Sequence, residues 1–300
     1  MDEHIRSYYS VVFERDFLRR KASEFQNFFA DLMEKRYPGG DFIRVRPWGS
    51  AGDRKNDGYL TSQRTLFQVY APNEMKESET LKKIDEDFTG ALSYWQEHFD
   101  KWVFVHNARD GLGPGITKRL LDLGRENQNI RVLPWGFEEL RQELFAMAEA
   151  DIAALLGPAP TARDFLQVGF EDVKVVLEFI ARQDVSITPI LQRVPRDKIE
   201  INKLSKETGA LIAAGRCKSR LVGKFFEQYP DPEYGDQIVQ AFKTKYDELK
   251  SENPGPDRIF YELQIFAGGE CMREPKHQAA VLSVLAYLFD HCDIFESTGE

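Results

Sequence analysis

The sequence contains few cysteines and no long apolar run. Its three cysteines, Cys217, Cys271 and Cys292, lie far apart and form no CxxC pair. This odd number and this spacing argue against a disulfide framework and against a zinc site, and they favour a reducing compartment. No segment approaches the roughly 18 apolar residues of a membrane span, and no apolar segment typical of a signal peptide follows the polar N-terminus. We therefore expect a cytoplasmic protein without a membrane anchor.

Basic residues do not exceed acidic ones: 40 Lys and Arg stand against 49 Asp and Glu, which gives a net charge of −9. A negative net charge opposes binding to the phosphate backbone of nucleic acid. The charge is uneven, however, because residues 1–70 hold 12 basic and 10 acidic residues, a net charge of +2, and the remainder carries −11. The basic residues of the first segment are either solvated surface or a duplex-binding face. They include Arg15, Arg19, Arg20, Lys21, Arg44, Arg46, Arg54 and Lys55.

The spacing of apolar residues divides the chain into an α/β half and a helical half. In the first half, segments with apolar residues three or four apart alternate with short segments typical of strands. Strand–helix–strand crossovers imply a mixed sheet flanked by helices, so we predict an α/β fold there. The predicted elements are a helix at 8–36, strands at 42–46, 57–61 and 65–70, a helix at 76–99, a strand at 102–106, a helix at 115–127, a strand at 130–133 and a helix at 136–148.

A linker is predicted at Gly157-Pro158-Ala159-Pro160, because two prolines and a glycine cannot continue the preceding helix. It divides the chain into domains at 1–156 and 161–300. The second domain is predicted to be all-α and acidic, and its sequence shows no catalytic constellation. Its predicted helices lie at 170–182, 195–214, 216–229, 235–250, 256–267 and 276–291.

Asp57 and Gln68 are the candidate metal ligands. Asp57 opens a predicted strand within the stretch from Gly52 to Gly58, and Gln68 lies 11 residues later on the next strand. Adjacent antiparallel strands joined by a tight turn bring two such side chains side by side. A carboxylate and a side-chain carbonyl oxygen suit Mg²⁺ or Mn²⁺. Such an ion holds a phosphate and lowers the pKa of a bound water.

This stretch resembles the PD-(D/E)XK nuclease superfamily, in particular its Mrr-like branch. The family pattern is a helix Glu, then G-x-G-D-x-G-x-D, and then Q-x-K on the following strand, and the matches here are Glu24, Gly52-Asp53, Asp57 and Gln68. The resemblance implies a restriction-endonuclease-like fold and a hydrolase that cuts double-stranded DNA with Mg²⁺ or Mn²⁺. It implies that Asp57 and Gln68 hold the metal, that Glu24 is a further ligand or supports one, and that Asp53 shapes the loop.

The family's lysine, two positions after the glutamine, is Tyr70 in this sequence. A neutral phenol with a pKa near ~10 stabilises negative charge poorly, so Lys55 is an alternative source of positive charge. Either the enzyme is active with Lys55 or Tyr70 facing the phosphate or the water, or the site is degenerate and the protein is a binding module that senses DNA or bridges proteins. A nuclease that acts on RNA is a third possibility. DNA contacts are expected from Arg44, Arg46, Arg54 and Lys55.

Each candidate residue also has a purely structural explanation. Asp57-Gly58 is a common turn pair, Gln68 fits an ordinary strand, and Glu24 fits the solvated surface of a helix. The stretch from Gly111 to Lys118 looks like a phosphate loop, but it departs from G-x-x-x-x-G-K-[ST] and is predicted to be a strand-to-helix turn. His106 ends a buried strand and is predicted to be a core residue with its hydrogen bonds satisfied.

The C-terminal half resembles the C-terminal domain of effectors in bacterial ABC three-component systems, which include the antiphage Lamassu systems. The resemblance is carried by Tyr287-Leu288-Phe289, by the stretch from Cys292 to Glu296, and by the stretch from Asp197 to Ser205. It implies a defence effector that an SMC-like ATPase and a small middle subunit hold inactive until phage is sensed. It also implies that release permits self-assembly of the nuclease into an oligomer.

Overall fold

The computed structural model describes residues 1–45, 54–182, 198–231, 233–252, 254–268, 274–291 and 295. The chain forms two compact units, one of Phe13–Leu155 and one of Met1–Val12 with Leu156–Glu300. The division after Leu155 falls just before the predicted linker. Residues 1–12, predicted to belong to the N-terminal domain, lie instead in the second unit. None of the described helices is both long enough and apolar enough to cross a membrane.

The first unit contains a mixed sheet of five strands in the described part of the chain, as the sequence predicts. Its spatial order follows the chain order, with antiparallel pairing from the first strand to the third and parallel pairing from the third to the fifth. β4 is buried on both faces, which is why it reads as a continuous apolar run, whereas β5 at the edge is only half-buried or exposed. The strands are β1 (Phe42–Arg44), β2 (Gly58–Leu60), β3 (Thr65–Tyr70), β4 (Lys101–His106) and β5 (Arg131–Trp135).

Helices cover both faces of this sheet. On one face, Ile84 and Phe88 pack with Leu66, Trp102 and Phe104 in a single apolar cluster. On the other face, the rings of Phe29, Phe42 and Phe67 lie in mutual contact, and Trp135 packs on Phe67. The helices are α1 (Glu3–Arg19), α2 (Ala22–Arg36), α3 (Glu77–Trp95), α4 (Pro114–Glu126), α5 (Phe137–Phe145) and α6 (Glu149–Leu156).

The single helix predicted over 8–36 is in fact two helices, α1 and α2. The backbone of Lys21 is extended, and Ala22 has a φ of 45°. The amide of Ala22 donates to the carbonyl of Ala71 at 2.7 Å, which replaces the hydrogen bond that a continuous helix would make. Since Ala71 lies 49 positions along the chain, no local pattern predicts this break.

The second unit is helical throughout its described residues. Its last helix, Pro275–His291, is buried along most of its length and packs against five other helices of the unit. The helix predicted over 195–214 is interrupted, because Lys203 has a φ of 53° and the Ser205 hydroxyl caps a new helix by accepting from the Thr208 amide. The helices are α7 (Ala162–Gln167), α8 (Phe170–Ala181), α9 (Lys198–Ile201), α10 (Lys206–Arg216), α11 (Ser219–Gln228), α12 (Tyr234–Ser251), α13 (Pro256–Gly268) and α14 (Pro275–His291).

Candidate metal centre

Asp57 lies one residue before β2, and Gln68 lies on β3, which pairs antiparallel with β2. The last paired residues of β2 and β3 are Gly58 and Phe67, and Asp57 and Gln68 each lie next to this pair along the chain. The Asp57 amide donates to the Phe67 carbonyl at 2.9 Å, and its Oδ2 accepts from the Val69 amide at 2.7 Å. The carboxylate is therefore fixed against the residue that follows Gln68. Both side chains are buried, at 3% and 4% exposure.

The Gln68 side chain carries an oxygen without a hydrogen-bond donor. Leu66 and Tyr70 pack on the apolar cluster under α3, and alternate residues of a strand share a face, so Gln68 lies on that face too. Its Oε1 is buried and has no hydrogen-bond partner among the residues that the structure describes. Leaving a buried acceptor unsatisfied costs about 1–3 kcal/mol. A bound cation would satisfy this oxygen.

The helix residue that contacts Asp57 is Gln26 of α2. Its Nε2 donates to Asp57 Oδ1, so the two carboxylate oxygens have different donors. Glu24, which the resemblance nominates, lies two residues earlier, and its side chain is exposed. Sequence reasoning missed Gln26 because it lies 31 positions before Asp57. The available signal for Gln26 was its position in the first turns of α2, the helix that packs on β3.

Lys55 is paired with a buried carboxylate of α3. Asp87 is 0% exposed, and its Oδ1 lies 2.9 Å from Nζ of Lys55 and 2.9 Å from Nζ of Lys83. The other oxygen, Oδ2, is buried without a hydrogen-bond partner in the described part of the chain. Two lysines and one aspartate leave a net positive charge close to the start of β2.

The segment before Asp57 is fastened to α3 in an unusual backbone conformation. Arg54 and Lys55 have φ values of 54° and 63°, which cost about 1–2 kcal/mol for each non-glycine residue. The Trp95 indole donates to the Arg54 carbonyl at 3.1 Å, and the Arg54 guanidinium lies 5.2 Å from the centre of the Tyr94 ring. These contacts hold the strained segment, and such strain is concentrated at functional sites.

The expected DNA-contacting residues are differently placed. Arg44 binds two carboxylates of α2, with its Nε 3.0 Å from Glu34 and its terminal nitrogen on Asp31, and these carboxylates raise its pKa although burial opposes them. A phosphate would have to compete with them for this guanidinium. Arg54 is exposed. Arg46 and Asp53 lie outside the described residues.

Tyr70, at the position of the family's lysine, faces the apolar core of the sheet. Its side chain is half-buried, and its ring centre lies 6.1 Å from that of Phe104. Within the described ranges, no cluster of three or more His, Cys, Asp or Glu side chains is placed to hold a metal. The candidate ligand set is therefore one carboxylate and one amide oxygen, which leaves the other positions of an octahedral ion to water and phosphate.

Comparison with known proteins bears on the other half of the chain. Residues 171–296 match the C-terminal domain 10 of the ABC-three component (ABC-3C) systems. The helical C-terminal region is similar to this ABC-3C domain. It corresponds to most of the second unit, from α8 to the residues after α14. No curated protein and no solved structure matches the chain.

Proposed function

We propose that the first unit is a metal-dependent DNA endonuclease and that the chain is the effector subunit of an ABC-3C antiphage defence system. The observation that carries the nuclease proposal is the junction of β2 and β3. There the Asp57 carboxylate rests on the amide next to Gln68, and the buried Gln68 Oε1 has no donor in the described residues. The mixed sheet and its helix order support the resemblance to the PD-(D/E)XK superfamily.

Mg²⁺ fits the chemistry of this pair of oxygens, because it prefers oxygen ligands and retains several waters. When bound, it would supply charge neutralisation at the phosphate and a more acidic water. Asp57 and Gln68 would hold it. Gln26 would orient the Asp57 carboxylate through its amide hydrogen bond.

Positive charge at the scissile phosphate would come from Lys55 rather than from Tyr70. Lys55 is two residues from Asp57, and Asp87 holds its ammonium group. Lys83 binds the same carboxylate oxygen. The lysine that the family carries on β3 would thus be replaced by a lysine that reaches the site from the segment before β2.

The second unit would dock the other subunits of the system. A helix face that contacts only water rarely exposes several neighbouring large apolar side chains. On α8, Val175 is 53% exposed and Phe179 is 36% exposed, and residues four apart in a helix share a face. Leu166 of α7 is 76% exposed. We propose these side chains as the contact with a partner subunit that restrains the nuclease.

Cleavage of supercoiled plasmid by the purified chain with Mg²⁺ tests the nuclease proposal. We expect cleavage that EDTA abolishes. Loss of a group that orients a metal ligand costs roughly 10–100-fold, so we expect that loss for Gln26→Leu and a larger loss for Asp57→Asn. Glu24→Gln is the matched control, since its side chain is exposed and its cleavage rate should stay near that of the wild type.

Four outcomes would contradict the proposal or part of it. If the wild type binds DNA but never cuts it, the chain is a binding module. If Asp57→Asn cuts as fast as the wild type, the hydrolysis belongs to another site or a contaminant. If Glu24→Gln is inactive while Gln26→Leu is active, the helix ligand is Glu24. RNA cleavage without DNA cleavage would reassign the substrate.

Co-purification with the products of the neighbouring genes tests the docking proposal. The double variant Val175→Glu, Phe179→Glu should lose the partner and keep its plasmid cleavage, because both side chains lie on an exposed face. Retention of the partner by this variant would place the contact elsewhere.

A further inference from the structure

A pocket of about 420 Å³ opens at the carboxyl ends of β4 and β5. Ligands of α/β sheets commonly bind outside the carboxyl ends of parallel strands, and the volume lies in the range of small-molecule pockets. None of its residues belongs to the proposed metal site. The polar and aromatic lining comprises His106, Arg109, Asp110, Phe137, Glu138 and Glu139.

His106 is a buried polar group that this pocket leaves unsatisfied. It is 4% exposed, and its Nδ1 has no hydrogen-bond partner among the described residues. Burial lowers its pKa to about 4, against the opposing charge of Glu139, so the ring is neutral at pH 7. The expected core histidine with satisfied hydrogen bonds is therefore wrong in one respect, because this ring nitrogen has no hydrogen-bond partner in the described part of the chain.

A flat platform forms another wall of the pocket. The guanidinium carbon of Arg109 lies 3.7 Å from the centre of the Phe137 ring, and its Nε donates to Glu14 at 2.7 Å. Stacked guanidinium groups and aromatic rings are the surfaces on which nucleobases stack. Gly136 lets the His106 ring pack against the backbone there, since a Cβ built on it would lie 2.6 Å from His106 Cε1.

The charges around the pocket select against anions. Asp110, Glu138 and Glu139 line it, and Arg109 is the single cation among its described lining residues. The N-terminus of α4, where a phosphate would otherwise bind, faces Glu77, whose Oε1 would lie 2.2 Å from a Cβ built on Gly115. Glu139 also accepts from the Gly136 amide and Glu138 from Arg141, and the remaining carboxylate oxygens offer hydrogen-bond acceptors beside a stacking surface.

We propose that this pocket binds a purine base that presents N–H donors along one edge, as guanine does. The base stacks on the platform of Arg109 and Phe137, and its donors meet the acceptors at the margin. Guanosine is the probe, since its N1–H and 2-amino group form a continuous row of donors. This site does not depend on the proposed nuclease activity.

Calorimetric titration of the full chain tests the proposal with four probes. Guanosine should bind saturably with one site per chain. Inosine lacks the 2-amino group, and a lost hydrogen bond to a charged acceptor corresponds to about tenfold or more in affinity, so it should bind at least tenfold more weakly. Guanosine 5′-monophosphate should also bind more weakly, because the carboxylates repel its phosphate. Spermidine, a polycation without a flat ring, should not compete.

His106→Leu locates the site. It should weaken guanosine binding at least tenfold, while Glu126→Gln, outside the pocket lining, should leave it unchanged. If His106→Leu fails to fold, the imidazole NMR signals of wild-type His106 should still shift on titration with guanosine. Absence of guanosine binding at millimolar concentration would overturn the proposal. Equal binding of guanosine and inosine, or displacement of guanosine by spermidine, would overturn it as well.

Discussion

At the scale of the residue, burial decides the charge of His106. Its ring is 4% exposed, and desolvation lowers its pKa from 6.5 to about 4. The folded state disfavours the protonated ring, so the unfolded chain takes up this proton at a higher pH. Acid therefore favours unfolding. Protonation of His106 therefore does not reduce the free energy of unfolding above pH 6.5, and it reduces it progressively as the pH falls from 6.5 towards 4.

We predict that the folded protein loses roughly 2 kcal/mol between pH 7 and pH 5 through His106 alone. Urea unfolding at the two pH values measures this loss. His106→Leu should show a smaller decrease in the free energy of unfolding over that interval. An equal decrease in the variant would mean that His106 is protonated in the folded state.

Asp87 differs from His106, because its buried carboxylate is paired with the ammonium groups of Lys55 and Lys83. We predict that Asp87→Asn lowers the free energy of unfolding by roughly 3 kcal/mol, the cost of breaking a buried ion pair, and that hydrogen exchange accelerates at the Lys55 amide. Asp85→Asn is the matched control, because Asp85 lies on the same helix with a half-exposed side chain, and exposed pairs contribute at most about 1 kcal/mol. Similar losses in both variants would contradict the role of burial.

The sequence predicts part of this site and misses the rest for a physical reason. The Asp57 and Gln68 pair could be proposed from the sequence because two strands and a tight turn are local features, and its role at a metal stays a prediction. Gln26 and Asp87 reach the same segment from helices, through contacts 31 and 32 positions apart along the chain. Such contacts follow from packing, which periodicity in a short window does not record. The unsatisfied nitrogen of His106 is likewise a property of its surroundings.

At the scale of the element, α10 and α14 pack backbone against backbone. A Cβ built on Gly215 of α10 would lie 2.2 Å from the carbonyl oxygen of Leu282 of α14. Gly209, one and a half turns earlier in α10, has its nearest such neighbour at 3.7 Å, which is ordinary contact. The two glycines of one helix therefore serve different purposes.

We predict that Gly215→Ala destabilises the protein by about 1–3 kcal/mol, the usual cost of overpacking. Gly209→Ala should stabilise it by about 0.5–1 kcal/mol, because alanine restricts the unfolded chain in a helix interior. Thermal unfolding of the two variants checks both signs. A stabilised Gly215→Ala protein would show that α10 and α14 separate without cost.

At the scale of the whole molecule, the division of the chain differs from the predicted domains in its first twelve residues. Tyr9 is 1% exposed, and its hydroxyl accepts from the Ala159 amide at 3.3 Å. Both residues belong to the second unit. Sequence patterns place the linker near 157–160, but they do not show that an N-terminal segment completes the C-terminal unit.

We predict that Tyr9→Ala lowers the stability of the second unit by roughly 3 kcal/mol, as for other large aromatic side chains removed from a core. Hydrogen exchange should accelerate in α8 and α14 more than in β3 and β4. The control is Tyr94→Ala, whose side chain is 57% exposed and whose removal should change exchange little. Faster exchange confined to the strands would assign residues 1–12 to the first unit.

The strand order of the described sheet, β1 to β5 in the order of the chain, has a consequence for biosynthesis. A chain leaves the ribosome from its N-terminus, so every new strand finds its partner already made. The hairpin of β2 and β3 is complete before β4 and β5 emerge and extend the sheet beside it. Assembly can therefore proceed by addition at one growing edge, with no strand waiting for a neighbour that is translated later.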